Sequence, residues 1–573
     1  KFNKISPRRM MTKKGVKNLM VYLFSGLKRP DILKKLEREK FDLLVIGGGI
    51  SGAGVALDAA LRGLSVALLD MQDFAAGTSG RSTKLIHGGL RYLKQFEFRF
   101  VKETARERKI LFQNAPHLIK PVRMLLPIYK NGPFGKRTIS FGLQLYDAMA
   151  RTEKYEKRVM MTKEETLQKI PLIKREGLLG AGMYTEYMTD DARLTIEVIK
   201  TAVNYGAIAI NYVKADSFTY DDSGKINGVI ARDVVTGNTV KITTQTVVNA
   251  AGPWVDHIRD LDGEIFRKRL KLSKGIHLVF DQRIFPLKHA VYFQNIDNRM
   301  IFAIPRGNKT YVGTTDTFYD GKPENVRITI ADREYLLNAI RYMFPGLDIK
   351  PSAIESGWAG VRPLIYESGK SPSEISRKDE IWISDSGLIS LAGGKLTGYR
   401  KMAEKTVNLV TKQIFHQERK IFKPCQTEHF SLSGGGLAKP EEFNEFIDRK
   451  GKEAKQCGFS EKEGRELAAI YGTNINQIFN LAKNFHEKKS PGISRVDYVR
   501  LMYAIYHEMT IKPSDYFVRR TGMLYFNRKL IIPIMEQIVH LMKEEYGWTE
   551  KTANQFLQEL KEEVKFSVTP VSD

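Results

Sequence analysis

The sequence predicts three structural units: an α/β domain built on a parallel sheet, an antiparallel β-rich domain interleaved with it, and an α-helical domain at the C-terminus. Three observations predict this. Residues 41–70, FDLLVIGGGISGAGVALDAALRGLSVALLD, read as strand, glycine turn, helix and strand. Residues 265–365 alternate like antiparallel strands around one helical stretch, after which strand, glycine turn and helix return at 381–414. Residues 440–565 carry helical periodicity almost throughout.

Residues 1–40 form a basic N-terminal extension, with thirteen Lys/Arg against Asp31, Glu37 and Glu39. Within it NLMVYLFSGL (Asn18 to Leu27) is too short to span a bilayer. Met20, Leu23, Phe24 and Leu27 share a helical face beside Lys13, Lys14, Lys17 and Lys28, the make-up of an interfacial helix on anionic lipid. A flexible basic tail and an upstream translation artefact are the competing readings. No small-residue cleavage site follows the apolar stretch, so a secretory signal fits poorly.

From Phe41 to Ile46 the apolar run suits a strand buried on both faces. Gly47, Gly49 and Gly52 follow at G-x-G-x-x-G spacing. The first makes a tight turn, the second lets backbone approach a pyrophosphate, and the third lets helix and strand pack closely. Ala53 to Leu64 reads as the helix, whose N–H groups face the phosphate, and Leu64 to Leu69 as the second strand. Asp70 ends that strand 23 positions after Gly47, where an acid can accept from a ribose hydroxyl. The whole unit specifies a dinucleotide site. It does not separate FAD from NAD.

Small residues from Ala75 to Ser82 can bring backbone and hydroxyls against a ligand, and Phe98 to Leu111 reads as a charged amphipathic helix. Residues 115–175, with Pro116, Pro121, Pro127 and Pro133, read as an excursion out of the nucleotide fold. An Asp-capped helix from Asp191 precedes a strand at Ile208 to Val213, and a β-meander leads into the strand Thr246 to Asn249. That strand closes on Ala250-Ala251-Gly252-Pro253-Trp254, a second place where backbone can meet the dinucleotide. Strands follow at Leu278 to Phe280, Ala290 to Phe293, Met300 to Ile304 and Thr310 to Thr314, with a helix at Ile330 to Met343. The nucleotide domain is thus expected at about 41–115, 190–255 and 353–420, and the β-rich substrate or lid domain at about 116–189 and 256–352. A linker at 421–439 separates them from the helical domain at 440–565.

The formal charge of +26 would suit nucleic acid, an anionic membrane surface or a small anionic substrate. No basic stripe with interleaved stacking aromatics marks a nucleic-acid module, so nucleic acid is not expected. Cys425 and Cys457 lie far apart without a CxxC or histidine pattern. That argues against a disulfide framework or a metal site and for a reducing compartment.

The motifs VIGGGISGAG, GTSGRSTKLIHGGLRYL, VVNAAGPW, KGIHLV, GTTDTFYDG, WAGVRPL, SEISRKDEIW and LAGGKLTGYRKMAE stand in this order over about 40–560. In them the chain resembles the FAD-dependent, respiratory glycerol-3-phosphate dehydrogenases. The resemblance implies a Rossmann-like FAD-binding fold of the D-amino-acid-oxidase/glycine-oxidase type with a helical C-terminal domain. It also implies a quinone acceptor (ubiquinone or menaquinone) and peripheral attachment to the inner, anionic face of the cytoplasmic membrane; a homodimer is compatible with it. One glycine fingerprint rather than two, ligand-facing elements that recur along the chain, and a second domain that could cover a flavin ring agree with FAD over NAD.

By motif, the resemblance assigns the cofactor to Gly47, Gly49, Ser51, Gly52 and Asp70, and then to Thr78, Ser79, Ser82, Lys84, His87, Gly88, Gly89 and Leu90. It continues through Val213, Ala250 and Gly252 to Gly394, Lys395, Leu396 and Thr397. The substrate, a phosphate monoester dianion, calls for guanidinium forks. The matching positions are Arg91, Tyr92, Arg362, Arg377, Lys395 and Thr397, while Arg306 reads as a loop residue. His277 and Arg362 are the catalytic candidates for removing hydride from C2 of glycerol 3-phosphate and the proton from its hydroxyl; which group takes the proton is open. Three alternatives stand beside this: an oxidase that reduces oxygen to hydrogen peroxide, an amino-acid oxidase of the same fold, and a flavin-bearing nucleic-acid binder. The role of Arg519-Arg520 is not legible.

Overall fold

The computed structural model describes residues 24–87, 98–130, 135–150, 156–263, 268–367, 379–437, 439–486 and 492–572, with Gly132, Gly369 and Ile375. Its centre is the strand Lys40–Ile46, buried at every position after the first. It pairs in parallel with Thr239–Asn249 on one side and Val66–Leu69 on the other. Ile208–Ile210 extends the sheet beyond Val66–Leu69, and Ile389–Gly393 with the antiparallel Asp379–Ile383 closes the opposite edge. A strand in that position has no solvent face, which is why FDLLVI is an apolar run and not an alternation. Helix Ile50–Arg62 packs between helices Asp191–Asn204 and Tyr399–Glu418. Asp190 caps the first of these neighbours, accepting from the Arg193 N–H at 3.1 Å. The meander is present as Val213–Tyr220, Ile226–Asp233 and Thr239–Asn249.

The second sheet runs through Leu270–Asp281, Lys309–Gly313, Met300–Arg306, Ala290–Gln294, Lys120–Tyr129 and Leu178–Met188. Helix Ile330–Met343, boxed at its start by Thr329 and Asp332, covers it. Two segments assigned by sequence to the nucleotide domain belong to this sheet. Ile354–Ile365 pairs along its length with Leu270–Asp281, and Leu85–Ile86 pairs with Tyr187 and Met188. The nucleotide domain therefore resumes at Asp379, not at 353. A strand's local pattern reports burial, not which distant partner it bonds to.

The boundary at 40 also moves. Residues 24–39 are folded, with helix Arg29–Arg38 burying Ile32 and Leu36. Phe24, read as part of a lipid-facing stripe, is buried and stacks on Phe74 at 5.7 Å between ring centres. Arg29 donates to the Asn211 carbonyl at 2.5 Å, to the Tyr212 carbonyl at 3.0 Å and to Asp233. Met20, Leu23, Lys13, Lys14 and Lys17 lie outside the described residues.

The C-terminal helices include Phe443–Ala454, Glu461–Tyr471, Ile475–Ala482, Arg495–His507, Met535–Tyr546 and Glu550–Phe566. Expected as a separate domain, they pack on both sheets. Tyr525 and Phe526 lie 5.0 and 5.9 Å from the Trp358 ring of the second sheet. On the first, Arg519 and Arg520 reach Asp73 in the loop after Val66–Leu69. Apolar faces of both units thus share one core. No helix of the described residues is long and apolar enough to cross a membrane.

Candidate active site

A cavity of about 870 Å³ runs between the two sheets, within the size range of cofactor and ligand sites. One end is the glycine turn. Gly47 has φ +110° and its N–H donates to the Leu69 carbonyl at 2.7 Å, folding the chain sharply off its strand. A Cβ at Gly52 would lie 1.9 Å from the Gly47 oxygen, so only glycine lets the helix start this close to the turn. Gly52 therefore packs beneath the cavity wall, as the third glycine of the fingerprint should. Gly49 precedes helix Ile50–Arg62 without a side-chain cap of its own, and the Ile50 N–H donates to Ser79 Oγ at 2.9 Å. Gly47, Gly49, Ser51 and Ser79 all border the cavity, so the helix N-terminus opens onto it.

Asp70 borders the cavity and holds the turn. Its Oδ2 accepts from Gly48 N–H and its Oδ1 from Gln72 N–H, at 2.7 and 2.8 Å. Burial pushes its pKa up to about 7 against the downward pull of those two donors. Val213 N–H donates to the Asp70 carbonyl at 2.7 Å, which brings the next strand to the same wall. Ala250, whose N–H donates to the Ile46 carbonyl at 2.8 Å, and Gly252 complete this end.

Thr78, Ser82 and His87 line the middle, followed by Gly394, Lys395, Leu396 and Thr397 from the return of the first sheet. Thr397 Oγ1 donates to the His87 carbonyl at 3.3 Å, joining motifs 310 residues apart. Lys84, expected to touch cofactor, does not border the cavity. It is buried, with Nζ donating to Asp191 Oδ1 at 2.5 Å and to the Gly80 carbonyl at 3.2 Å. A buried ammonium needs a carboxylate, and Asp191 supplies it while also accepting from Ser82. Gly88, Gly89, Leu90, Arg91, Tyr92 and Arg377 lie outside the described residues.

The far end is built by strand register. His277 pairs with both Gly313 and Trp358, Gly275 with Gly360, and Ser273 with Arg362. Alternation puts Ser273, Gly275 and His277 on one face of their strand, and Trp358, Gly360 and Arg362 on one face of theirs. A Cβ at Gly275 would sit 2.4 Å from Arg362 Nη2, so the guanidinium lies across a gap that only glycine leaves. Arg362 donates to Thr314 Oγ1 at 2.8 Å and pairs with Asp316 Oδ1 at 3.3 Å. His277 is buried, stacked on Trp358 at 4.7 Å and 13°, with Nε2 3.0 Å from Thr83 Oγ1. Burial, and then the charges of Arg362 and Lys84, hold it well below the ordinary imidazole pKa, so it is neutral at pH 7.

His277, Arg362, Lys395 and Thr397 thus share one cavity with the glycine turn. Sequence reasoning missed Thr83, Thr314, Asp316 and Arg299, all of which line the cavity. GTTD, which contains two of them, was legible as a motif but carried no individual assignment. Arg306, read as a loop residue, instead ends strand Met300–Arg306 and bonds the Thr189 carbonyl and Asp190.

A family model described as FAD dependent oxidoreductase matches residues 42–400, and one described as the C-terminal domain of alpha-glycerophosphate oxidase matches 425–553. The chain is similar to the aerobic glycerol-3-phosphate dehydrogenase of Bacillus subtilis, at 49% identity over 96% of this chain and 100% of that protein. It is 50% identical to a Staphylococcus aureus protein of the same name, over 94% of this chain and 97% of that one. Among solved structures it superposes on the Bacillus halodurans glycerol-3-phosphate dehydrogenase complexed with FAD, with a TM-score of 0.84 and 44% identity. That match covers 96% of this chain and 99% of that one.

Proposed function

The chain belongs to the FAD-dependent oxidoreductases of the glycerol-3-phosphate dehydrogenase kind, and we propose that it oxidises sn-glycerol 3-phosphate at C2 to dihydroxyacetone phosphate and passes the electrons to a membrane quinone. The observation that carries this reading is a single cavity with a dinucleotide cradle at one end and Arg362 with neutral His277 at the other. Bound FAD supplies the acceptor for the hydride that leaves C2.

The chain's own groups do the rest. The turn at Gly47–Gly52 and the N-terminus of helix Ile50–Arg62 suit a pyrophosphate, and Asp70 suits a ribose. Lys395, Thr397 and Arg362 bind the substrate dianion, joined by Arg91, Tyr92 and Arg377. Asp316 and Thr314 fix the Arg362 fork before substrate arrives, which lowers the ordering cost of binding. His277, held neutral, has the lone pair that a departing hydroxyl proton requires.

Anaerobic addition of glycerol 3-phosphate should bleach the oxidised flavin absorption, whereas glycerol and lactate should not. A yellow protein that does not bleach overturns the substrate assignment. The charge of +26 supports docking on the anionic inner face of the cytoplasmic membrane, and co-sedimentation with anionic but not neutral vesicles tests that. A second reading, oxygen as acceptor with hydrogen peroxide as product, is supported by the alpha-glycerophosphate oxidase name of the C-terminal match. Peroxide yield in air against turnover with a soluble quinone analogue separates the two.

A further inference from the structure

We infer that Thr83 is a catalytic residue, its hydroxyl joining the substrate's C2 hydroxyl to His277. The inference rests on the reading of His277 as proton acceptor and deepens it.

The problem it solves is the route of a proton to the imidazole nitrogen. His277 is 1% exposed. Trp358 covers one face of its ring, and Gly313 closes its Cδ2 edge so tightly that a Cβ there would lie 2.1 Å away. Nδ1 is buried with no hydrogen-bond partner among the described residues. The polar contact the imidazole makes is Nε2 to Thr83 Oγ1, at 3.0 Å. Thr83 itself is partly exposed and borders the cavity beside Gly275, Thr314 and Arg362. The ring borders the same cavity with its Nε2 engaged by the Thr83 hydroxyl, so a proton leaving substrate reaches that nitrogen through Thr83.

Thr83 is also fixed in place. Tyr311 donates to its carbonyl at 3.0 Å, Trp358 Nε1 donates to the preceding carbonyl of Ser82 at 3.1 Å, and Lys84 is anchored by Asp191. Such pinning on both sides suits a group that must hold a relay geometry. The nearby cations explain when the relay runs. Arg362 and Lys84 oppose a charge on His277, and a phosphate dianion paired with Arg362 offsets that opposition.

In the step, the C2 O–H bond breaks and its proton passes to Thr83 Oγ1, while the Thr83 hydroxyl proton passes to His277 Nε2. The C2–H bond breaks with its electron pair leaving as hydride to the FAD that the proposed function supplies, and C2=O forms. Substrate loses one proton and one hydride, and the imidazole later returns its proton to water.

The test is anaerobic flavin reduction by saturating glycerol 3-phosphate in Thr83→Val, Thr83→Ala, Thr83→Ser and His277→Gln, with FAD content and KM measured alongside. Thr83→Val and Thr83→Ala should keep FAD and a KM within about threefold, yet reduce flavin about 100-fold more slowly. Thr83→Ser should restore the rate to within about fivefold of the parent. A rescue by serine is not expected if the residue only fills space. Reduction at the parent rate in either hydroxyl-free variant, or serine no faster than alanine, overturns the relay. If His277→Gln is slow while Thr83→Val is fast, the relay falls and the role of His277 stands; if both are fast, both fall.

Discussion

Arg520 forks both carboxylate oxygens of Asp73, 447 residues earlier in the chain, with Nη1 2.7 Å from Oδ2 and Nη2 2.8 Å from Oδ1. Both side chains are fully buried, Arg519 bonds the same carboxylate, and Asn211 donates to it at 2.8 Å. Asp73 follows Asp70 in the loop that lines the cavity. The C-terminal helices thereby grip the loop expected to hold the ribose.

Removing one partner of such a pair leaves an unpaired buried charge. Arg520→Met should cost about 3–5 kcal/mol of stability, read by denaturant unfolding, and should weaken FAD binding by the apoprotein. Burial raises the Asp73 pKa, and the charges of Arg520 and Arg519 outweigh it and hold the carboxyl below its usual range. A depressed carboxylate stabilises the fold above its unfolded pKa of about 4, and that stability fades as pH falls further. Asp73→Asn should flatten this acid limb.

Gly52→Ala tests the cradle. Its Cβ would meet the Gly47 oxygen at 1.9 Å, so the turn must open. Purified protein should be colourless and should not recover the flavin spectrum on incubation with FAD, while circular dichroism stays close to that of the parent. Yellow protein with parental affinity would mean that the turn does not carry the dinucleotide.

Asp70 predicts a pH dependence. With its pKa near 7 in the folded protein, the carboxyl is largely protonated at pH 6 and ionised at pH 8. A ribose hydroxyl donates to the ionised form, so FAD binding must expel a proton below pH 7. The apoprotein's affinity should rise by up to about tenfold per pH unit below pH 7 and level above it. Asp70→Asn should remove the slope, as titrated by flavin fluorescence quenching.

Arg362→Ala should lower kcat/KM for glycerol 3-phosphate by roughly 100-fold, the scale of a lost charge-assisted bond. Arg362→Lys should recover only part, because an ammonium cannot span Thr314 and Asp316 as the fork does. Steady-state rates with an artificial electron acceptor give both numbers.

The parallel sheet was legible because its signals are local. FDLLVI is an unbroken apolar run, and the glycine spacing and the helix Ile50–Arg62 follow at once. What escaped depended on distance. WAGVRPL lies in the stretch assigned from 353 to the nucleotide domain, but the strand that holds it pairs with Leu270–Asp281, far upstream. Phe24 looks lipid-facing until Phe74 is placed against it. Lys84 stood in a loop of small ligand-facing residues, and only the fold brings Asp191 to its ammonium. Arg519-Arg520 were not legible because the carboxylate they share is Asp73, in the loop after Val66–Leu69. Arg362 and His277 rested on motif likeness; they stand 85 positions apart, and their shared cavity comes from the register between Leu270–Asp281 and Ile354–Ile365.

The loop after strand Val66–Leu69 is sewn to the opposite sheet. Thr78 bonds the Val361 carbonyl, Ser82 accepts from Trp358, Thr83 accepts from Tyr311, and Leu85–Ile86 runs as a strand of that sheet. Tyr525 from the C-terminal helices clasps Ser356 on the far side. A clamshell needs a seam along which few bonds cross, and here the seam is stitched. The two halves are expected to ride as one solid, so substrate meets a cavity whose walls are already set. Selection then falls to the charges that line the cavity, Arg362 and Lys395 among them. An anion is drawn in by its charge before any side chain closes round it.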